Sequence, residues 1–238
     1  MTDVPNDGSS KPAHSIVVTI DGPAASGKSS TAQWVARRLG FRHVDSGALY
    51  RAATARTLHS KQAPGAWSES DVIRYASEIG LVPDGTSFVP AHGGVALGDE
   101  IRGPDVTAAV SRVAQMPTVR AWVNAMVQGA ARRDNVVVDG RDMGTAVFPD
   151  AAVKIFLVAD PWERARRRLT QRLGRGPSDD EIAVETDALV HRDAQDATQS
   201  AQARDAILVD TTYLTQAEQV DRIVSLVRSV TDPERSRG

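Results

Sequence analysis

The stretch GPAASGKS at residues 22–29 matches the pattern G-x-x-x-x-G-K-[ST]. It follows the apolar, β-branched run SIVVTI (Ser15–Ile20), which predicts a buried strand. Apolar and small residues then recur at helical spacing over Ser29–Leu39, and Gly40 stands where helix ends favour glycine. A strand, a glycine-rich turn and a helix in this order predict a loop that binds phosphate through backbone N–H groups and the helix dipole. The alternative, an ordinary glycine and serine loop, does not require that context.

Side chains within and beyond this loop predict a metal site. Lys28 can reach the β- and γ-phosphates of a nucleotide, and the Ser29 hydroxyl can bind Mg²⁺. Asp139 follows the apolar run Val136–Val138 and could hold the same ion from a neighbouring strand, or it could be a turn residue before Gly140. A phosphate loop alone leaves the reaction open, since GTPases, motor ATPases and many kinases share it.

Working outward from the loop, four more apolar segments predict strands that alternate with helices. These strands are Arg42–Val44, Val136–Val138, Lys154–Val158 and Ala206–Val209. Helical patterns cover 48–59, 107–132 with an interruption near Met116–Pro117, the Arg-rich segment after Pro161, and 215–230. The alternation predicts an α/β protein with right-handed crossovers. We therefore expect a three-layer P-loop NTPase fold with a five-stranded parallel sheet that binds ligands at the carboxyl ends of its strands.

The chain divides into a core and two additions. The segments 15–60, 105–165 and 200–230 are predicted to form the P-loop core. Residues 61–104 hold four prolines, many glycines and short apolar pieces, which predict a small antiparallel insertion. Residues 166–199 hold the rest of the Arg-rich helix, a break at Gly174–Pro177 and a capping box at Ser178 and Glu181, and we expect a helical lid there. Residues 1–14 and 231–238 are predicted to be disordered tails.

Composition excludes several classes of protein. The chain has 238 residues, of which 41% are hydrophobic and 24% charged, as in ordinary globular proteins. A net charge of −2 with 5% aromatic residues argues against a nucleic-acid partner. No run of about 18 apolar residues and no signal-peptide pattern occur, so we expect no membrane partner. Cysteine is absent, which excludes disulfides and thiolate metal sites and favours a cytoplasmic location.

Three further stretches place charged side chains near strand ends or helix breaks. DSGALYR (45–51) could begin with a helix cap, and its Arg51 could project toward an acceptor phosphate. Arg120 lies beyond a proline break, while Arg141 and Asp142 are adjacent at a strand end, where they could equally form a structural ion pair. Each stretch alone is ambiguous between a structural and a functional role.

Together these stretches resemble the bacterial cytidylate kinase family of nucleoside monophosphate kinases. The resemblance spans roughly Ser15 to Val230 and is carried by GPAASGKS, VDSGALYR (44–51), IRG (101–103), SRVAQMPTVR (111–120), VDGRDMGTAVFPDAAVKIFL (138–157), HRDAQD (191–196) and DAILVDTT (205–212). It implies phosphoryl transfer from ATP, with Mg²⁺, to CMP or dCMP, which yields ADP and CDP or dCDP. It also implies a monomer in which the 61–104 insertion binds the acceptor nucleotide.

The resemblance carries roles over to individual residues of this chain. It implies ATP contacts from Gly22, Pro23, Ala24, Ala25, Ser26, Gly27, Lys28, Ser29 and Ser30, and Mg²⁺ ligation by Ser29 and Asp139. It implies CMP contacts from Ser46, Tyr50, Arg51, Ser111, Arg120, Asp142 and Asp196, and a catalytic set of Lys28, Asp139, Arg141 and Arg192. Among the residues implied to contact CMP, Arg51 would bind the acceptor phosphate, whereas Ser111, Arg120 and Asp142 would read cytosine.

Base chemistry agrees with the cytosine-reading role. A carboxylate such as Asp142 accepts from the N4 amino group, and Arg120 or Ser111 can donate to the acceptor edge. UMP carries a carbonyl in place of that amine and would face the carboxylate with repulsion. A buried polar group left unpaired in this way costs about 1–3 kcal/mol, which is roughly tenfold to a hundredfold in affinity.

One position departs from the family pattern. The family usually continues R-D-x-x-D-x-x-R, but Gln199 stands where the second arginine is expected. Two alternative functions therefore remain: a P-loop kinase for UMP or a non-nucleotide acceptor, and a weakened or regulatory nucleotide-binding relative. If Gln199 weakens the enzyme, Gln199→Arg should raise turnover or lower the KM for CMP. The candidate lid arginines are Arg164, Arg168, Arg172 and Arg175.

Overall fold

A computed structural model describes residues 15–232 and shows one mixed sheet with helices on both faces. Its strands are β1 (Val17–Asp21), β2 (Arg42–Asp45), β3 (Ile79–Asp84), β4 (Ser87–His92), β5 (Val95–Ala96), β6 (Val136–Asp139), β7 (Val153–Val158) and β8 (Ile207–Asp210). Its helices are α1 (Lys28–Leu39), α2 (Ser46–Leu58), α3 (Glu69–Ala76), α4 (Pro104–Ala114), α5 (Pro117–Ala131), α6 (Pro161–Leu173), α7 (Asp179–Asp196) and α8 (Gln216–Thr231).

The predicted five-stranded parallel core is confirmed. Strands β2, β6, β1, β7 and β8 are neighbours in that order, and all of their pairings are parallel. The order places β1 in the middle, with β6, which ends at Asp139, next to it. Since parallel strands end at the same edge, the residues that follow β1, β2 and β6 meet there.

The segment 61–104 extends this sheet. Strands β3 and β5 both pair antiparallel with β4, as the sequence predicts, while β4 pairs parallel with β2. The sheet thus reaches eight strands, because the insertion continues the core sheet through β4. Helix α3 also lies in this segment and was not predicted. It begins at a capping box in which Ser68 and Asp71 each accept a backbone N–H from the other.

Alternating side chains of the central strands build two separate apolar layers. Val136 and Val138 of β6 face one cluster, which includes residues of α2, α4 and α5. Val137 faces the other cluster, which includes residues of α1 and α8. All three valines are fully buried, as strands covered on both faces must be. This arrangement confirms the three-layer prediction.

Helix boundaries follow local signals. Gly27 (φ 85°) precedes α1 and Gly40 (φ 71°) ends it, both in the left-handed conformation. The capping box at Ser178 and Glu181 begins α7, as predicted. Helix α8 continues to Thr231, so that residue is helical, while the predicted tails at 1–14 and 233–238 lie outside the described residues. No helix within residues 15–232 combines the length and hydropathy that crossing a bilayer requires.

Gly22 is the residue that lets the chain leave β1 and enter the phosphate loop. Its φ of 148° is unfavourable for other residues, and a Cβ at this position would overlap the backbone carbonyl oxygen of Leu157 on β7. The close approach of β7 therefore requires glycine here.

We expect Gly22→Ala to lower the free energy of unfolding by about 1–3 kcal/mol, because the backbone must shift or accept a strained conformation. Thermal or denaturant unfolding measures the loss. Gly65→Ala is the matched control, since its added methyl meets no atom within 4 Å. Equal stability of the two variants would show that the loop absorbs the methyl group without strain.

Candidate active site

The phosphate loop connects β1 to α1 where the sequence predicts it. Within the loop, the Lys28 ammonium donates to the Pro23 carbonyl oxygen at 2.6 Å and lies 3.5 Å from Ser26 Oγ. Burial lowers the pKa of Lys28 well below its ordinary value, and the charge of Arg141 lowers it further. Asp139, Asp21 and Asp45 act in the opposite direction. An anionic phosphate bound at the loop would favour the charged ammonium in the same way.

Ser29, in the first turn of α1, meets Asp139 at the carboxyl end of β6. The Ser29 hydroxyl donates to Asp139 Oδ2 at 2.5 Å, although the two residues are 110 positions apart. The Ser46 hydroxyl donates to the backbone oxygen of Asp139 at 2.7 Å, which ties the start of α2 to the end of β6. A hydroxyl and a carboxylate oxygen side by side are the donors that Mg²⁺ prefers when nucleotide phosphates supply further oxygens. The two predicted metal ligands therefore fit that ion.

Sequence analysis missed His43, which also holds Asp139. His43 Nε2 lies 2.7 Å from Asp139 Oδ1, and Nδ1 lies 3.3 Å from Ser87 Oγ on β4. Burial tends to lower the pKa of His43, but the hydrogen bond to Asp139 and the charges of Asp139 and Asp45 together raise it. A histidine in a predicted strand of the parallel core, two residues before Asp45, was the available signal.

The predicted base-reading residues Arg120 and Asp142 form an ion pair. Arg120 Nη2 donates to Asp142 Oδ2, and Nη1 donates to the carbonyl oxygen of Ala114 and to Gln199 Oε1, each at 3.1 Å. Burial raises the pKa of Asp142, while the charge of Arg120 counteracts it. The structure thus brings α5, the loop after β6 and the segment after α7 to one point.

Tyr50 lies on α2 close enough to feel the charges of this pair, and Ser111 lies on α4. The Tyr50 hydroxyl is buried and has no hydrogen-bond partner among residues 15–232, and burial raises its pKa to about 12. Arg120 and Asp142 are the charged groups that act on it. Ser111 is half-buried on α4 and makes no side-chain hydrogen bond within the described part of the chain. A buried hydroxyl without a partner in the free protein is available to a ligand.

Arginines predicted to bind phosphate converge on one carboxylate. Arg141 Nε lies 3.4 Å and Arg192 Nε lies 4.0 Å from Asp196 Oδ2. Arg51 Nη1 donates to Thr107 Oγ1 at 3.2 Å. Burial lowers the pKa of Arg51 to about 10, and the charge of Arg192 contributes. The pKa of Arg192 is lowered by burial and by Arg141, so the cluster holds more positive charge than Asp196 balances.

The loop that carries Arg141 and Asp142 is anchored by Asp21, another residue that sequence analysis missed. The Asp21 carboxylate accepts the backbone N–H groups of Met143 at 2.9 Å and Gly144 at 2.8 Å. Burial raises the pKa of Asp21 to about 6. A Cβ on Gly140 would lie 2.7 Å from Met143 Cγ and from Ser46 Oγ, so the loop is tightly packed against α2.

The candidate lid arginines all pair with carboxylates on α7. Arg164 pairs with Asp193 at 2.7 Å, and Arg168 and Arg172 pair with Glu185 at 2.9 and 3.1 Å. Arg175 pairs with Glu181 at 2.6 Å. Arg164 is buried, whereas Arg175 is exposed at the far end of the two helices. These pairs hold α6 and α7 together as a hairpin.

A phosphate loop, a serine–aspartate pair beside it and an arginine cluster on one sheet edge are the features of a P-loop phosphotransferase. The family model for cytidylate kinase matches residues 18–229. The chain is 40% identical over 230 residues to a cytidylate kinase of Mycobacterium avium (strain 104), covering 92% of this chain and 98% of that one. It is 41% identical over 215 residues to the cytidylate kinase of Oceanobacillus iheyensis, covering 88% and 93%. The chain belongs to the cytidylate kinase family.

A solved structure of shikimate kinase from Bacteroides thetaiotaomicron is a more distant match. It shares 15% identity with a TM-score of 0.45, over 90% of this chain and 97% of that one.

The unpartnered Tyr50 hydroxyl generates a prediction that separates stability from binding. Tyr50→Phe removes a buried polar group without a partner, so we expect the free energy of unfolding to stay the same or rise by up to about 1–3 kcal/mol. If the hydroxyl serves the acceptor, the KM for the acceptor rises in the same variant. Denaturant unfolding and initial-rate kinetics test both parts. Lower stability would mean that the hydroxyl has a partner in the free protein.

Proposed function

We propose that this kinase transfers the γ-phosphoryl group of ATP to CMP and dCMP, which yields ADP and CDP or dCDP. One observation carries the proposal: the phosphate loop, the Ser29–Asp139 pair and the arginine cluster share a sheet edge with the Arg120–Asp142 pair. A donor site, a metal site and a base-reading pair are the parts that this reaction needs. The cytidylate kinase relatives support the choice of acceptor.

The donor side consists of the loop and its metal pair. Backbone N–H groups of Gly22 and of residues 25–30, together with the Lys28 ammonium, would bind the phosphates of ATP. Ser29 and Asp139 would hold Mg²⁺, which neutralises charge on the β- and γ-phosphates when it is bound. His43 holds Asp139 from the other side and keeps its carboxylate directed toward Ser29.

The acceptor side needs charge and orientation. The phosphate of CMP has a second pKa near 6, so at neutral pH it is mostly a dianion that can attack without a general base. Arg51 and Arg192 would hold that dianion, and Arg141 would stabilise charge on the transferring phosphoryl group. Each is positioned by neighbours in the free enzyme, and the bound phosphates would relieve their mutual repulsion.

Base selection would come from the Arg120–Asp142 pair. The Asp142 carboxylate would accept from cytosine N4, while Arg120 would donate to O2 or N3, with Ser111 and the Tyr50 hydroxyl beside them. Asp196 would contact the sugar. The pair is already formed in the free enzyme, so little ordering of these side chains would accompany binding.

We further propose that the α6–α7 hairpin is a lid and that the enzyme acts as a cytoplasmic monomer. Closure of the hairpin would exclude water, which otherwise would accept the phosphoryl group and hydrolyse ATP. Every residue assigned above belongs to one chain, and the absence of cysteine suits a reducing compartment.

The proposal predicts a definite acceptor profile. With Mg–ATP, we expect ADP formation with CMP and dCMP, and a kcat/KM for UMP lower by about tenfold to a hundredfold because its carbonyl faces Asp142. Reactions with AMP, with GMP or without an acceptor should form little ADP. ADP without an acceptor would indicate an ATPase, and no turnover with any acceptor would favour the regulatory alternative.

A variant of Asp142 tests the base-reading role. Asp142→Ala should lower kcat/KM for CMP by about tenfold or more while leaving the KM for ATP nearly unchanged. Asp150→Ala, at an exposed carboxylate eight residues along the chain, is the matched control. Equal losses toward both nucleotides would contradict this role of Asp142.

The position of Gln199 changes what we expect of its arginine variant. Gln199 Oε1 accepts from Arg120, so an arginine at 199 would lose that acceptor and place a second positive charge beside Arg120. Gln199→Arg should therefore raise the KM for CMP about tenfold, whereas Gln199→Glu, which keeps an acceptor, should not. A lower KM in the arginine variant would instead support a weakened enzyme.

A further inference from the structure

Two side chains of the α6–α7 hairpin form hydrogen bonds with one residue of the phosphate loop. Asp193 Oδ1 accepts the backbone N–H of Ala24 at 2.9 Å, and Arg164 Nη1 donates to the backbone oxygen of Ala24 at 2.7 Å. Arg164 Nη1 also donates to Asp193 Oδ2 at 2.7 Å. The contacts close a ring through Ala24, Asp193 and Arg164, which we call the loop clamp. No step proposed above uses it.

The methyl group of Ala24 is held as well. It is buried in an apolar cluster with Ala165 and Leu169 of α6 and with Ile182 and Leu189 of α7. The phosphate loop therefore forms part of the hydrophobic core of the hairpin. A displacement of the hairpin relative to Ala24 would break both its hydrogen bonds and its apolar contacts.

Arg164 depends strongly on this arrangement. Only 4% of the residue is exposed, and its Nε is buried with no hydrogen-bond partner in the described part of the chain. Asp193 and the Ala24 carbonyl are the acceptors for this buried guanidinium. Burial of an ion pair favours one geometry, because each charge is costly without the other.

Helix α7 carries acceptor-side residues next to the clamp. Arg192 is the neighbour of Asp193 in the chain, and Asp196 lies three residues further on. Asp196 in turn lies 3.4 Å from Arg141 on the loop after β6. One rigid helix thus contacts the ATP loop through Asp193 and the proposed CMP site through Arg192 and Asp196.

We propose that Arg164 and Asp193 are positioning residues that couple the two substrate sites, so that a nucleotide bound at one site raises affinity at the other. The inference rests on the proposed function, because it needs ATP and CMP as the two ligands. Binding of CMP would restrict the motion of Arg192 and Asp196. Because both residues lie on α7, the position of Asp193 and, through the clamp, that of Ala24 would be restricted as well. Thermodynamic reciprocity requires ATP to raise CMP affinity by the same factor.

The test measures this factor by calorimetry. The Kd of a non-hydrolysable ATP analogue is measured alone and with saturating CMP, and the Kd of CMP is measured with and without the analogue. We expect both ratios to agree and to lie at about 5-fold or more in the wild-type enzyme. Asp193→Asn keeps an acceptor for Ala24 but turns an amide N–H₂ toward Arg164, so its ratio should fall to within about twofold of one.

Glu185→Gln is the matched control. Glu185 is another carboxylate of α7 that pairs with α6 arginines, but it makes no hydrogen bond to the loop. Its variant should keep the wild-type ratio even if the hairpin loses stability. If Asp193→Asn does not fold, Arg164→Lys, which keeps the charge but lacks the planar fork, should show the same loss of coupling.

Three results would overturn the inference. A folded Asp193→Asn enzyme with the wild-type ratio would remove the clamp from the coupling. An equal loss in Glu185→Gln would assign the effect to hairpin stability in general. A wild-type ratio of one, with both ligands bound, would reject coupling and leave the proposed function intact. Failure of the wild-type enzyme to bind CMP at all is a different result, since it would reject the proposed function itself.

Discussion

Excess positive charge at the carboxyl edge of the sheet is the constraint on which this structure depends. The charge of Arg192 disfavours that of Arg51, and the charge of Arg141 disfavours those of Arg192 and of the buried Lys28. Such a cluster is stable only if its framework prevents the cations from moving apart. It is then matched to a ligand with several negative charges, which nucleotide phosphates provide.

Buried strands and a few buried anchors supply that framework. Strand β6 is buried on both faces and ends at Asp139, where Ser29, His43 and Ser46 all make hydrogen bonds. Asp21 anchors the loop that carries Arg141 and Asp142 by accepting two of its backbone N–H groups. Each anchor joins elements far apart in the chain, so the site is organised before any ligand arrives, which favours catalysis by positioning. The α6–α7 hairpin is built directly on the phosphate loop through its contacts with Ala24.

Much of this architecture could be predicted from the residues in order. The phosphate loop, the five parallel strands and the helix starts at Pro161 and Ser178 have local causes: an apolar run, a glycine with positive φ, a proline or a capping box. The extension of the sheet through β4 had no local signal, because strand pairing is settled by partners elsewhere in the chain. Helix α3 was overlooked although its capping box is local, since the prolines and glycines around it favoured turns.

The amino-acid sequence by itself was enough to predict the kind of phosphate site and the alternation of strands and helices. It also showed the residue types suited to a phosphorylated pyrimidine. These properties arise from spacing, and spacing is local. Folding in three dimensions determined which partners those residues have. The sequence predicts Arg164 to be a lid arginine, but it is buried against Ala24, 140 residues away. The sequence shows Gln199 only as a departure from the arginine of the family pattern. In the structure its amide oxygen accepts a hydrogen bond from Arg120, 79 residues away. Contacts over such separations depend on packing of the whole fold, which no local pattern records.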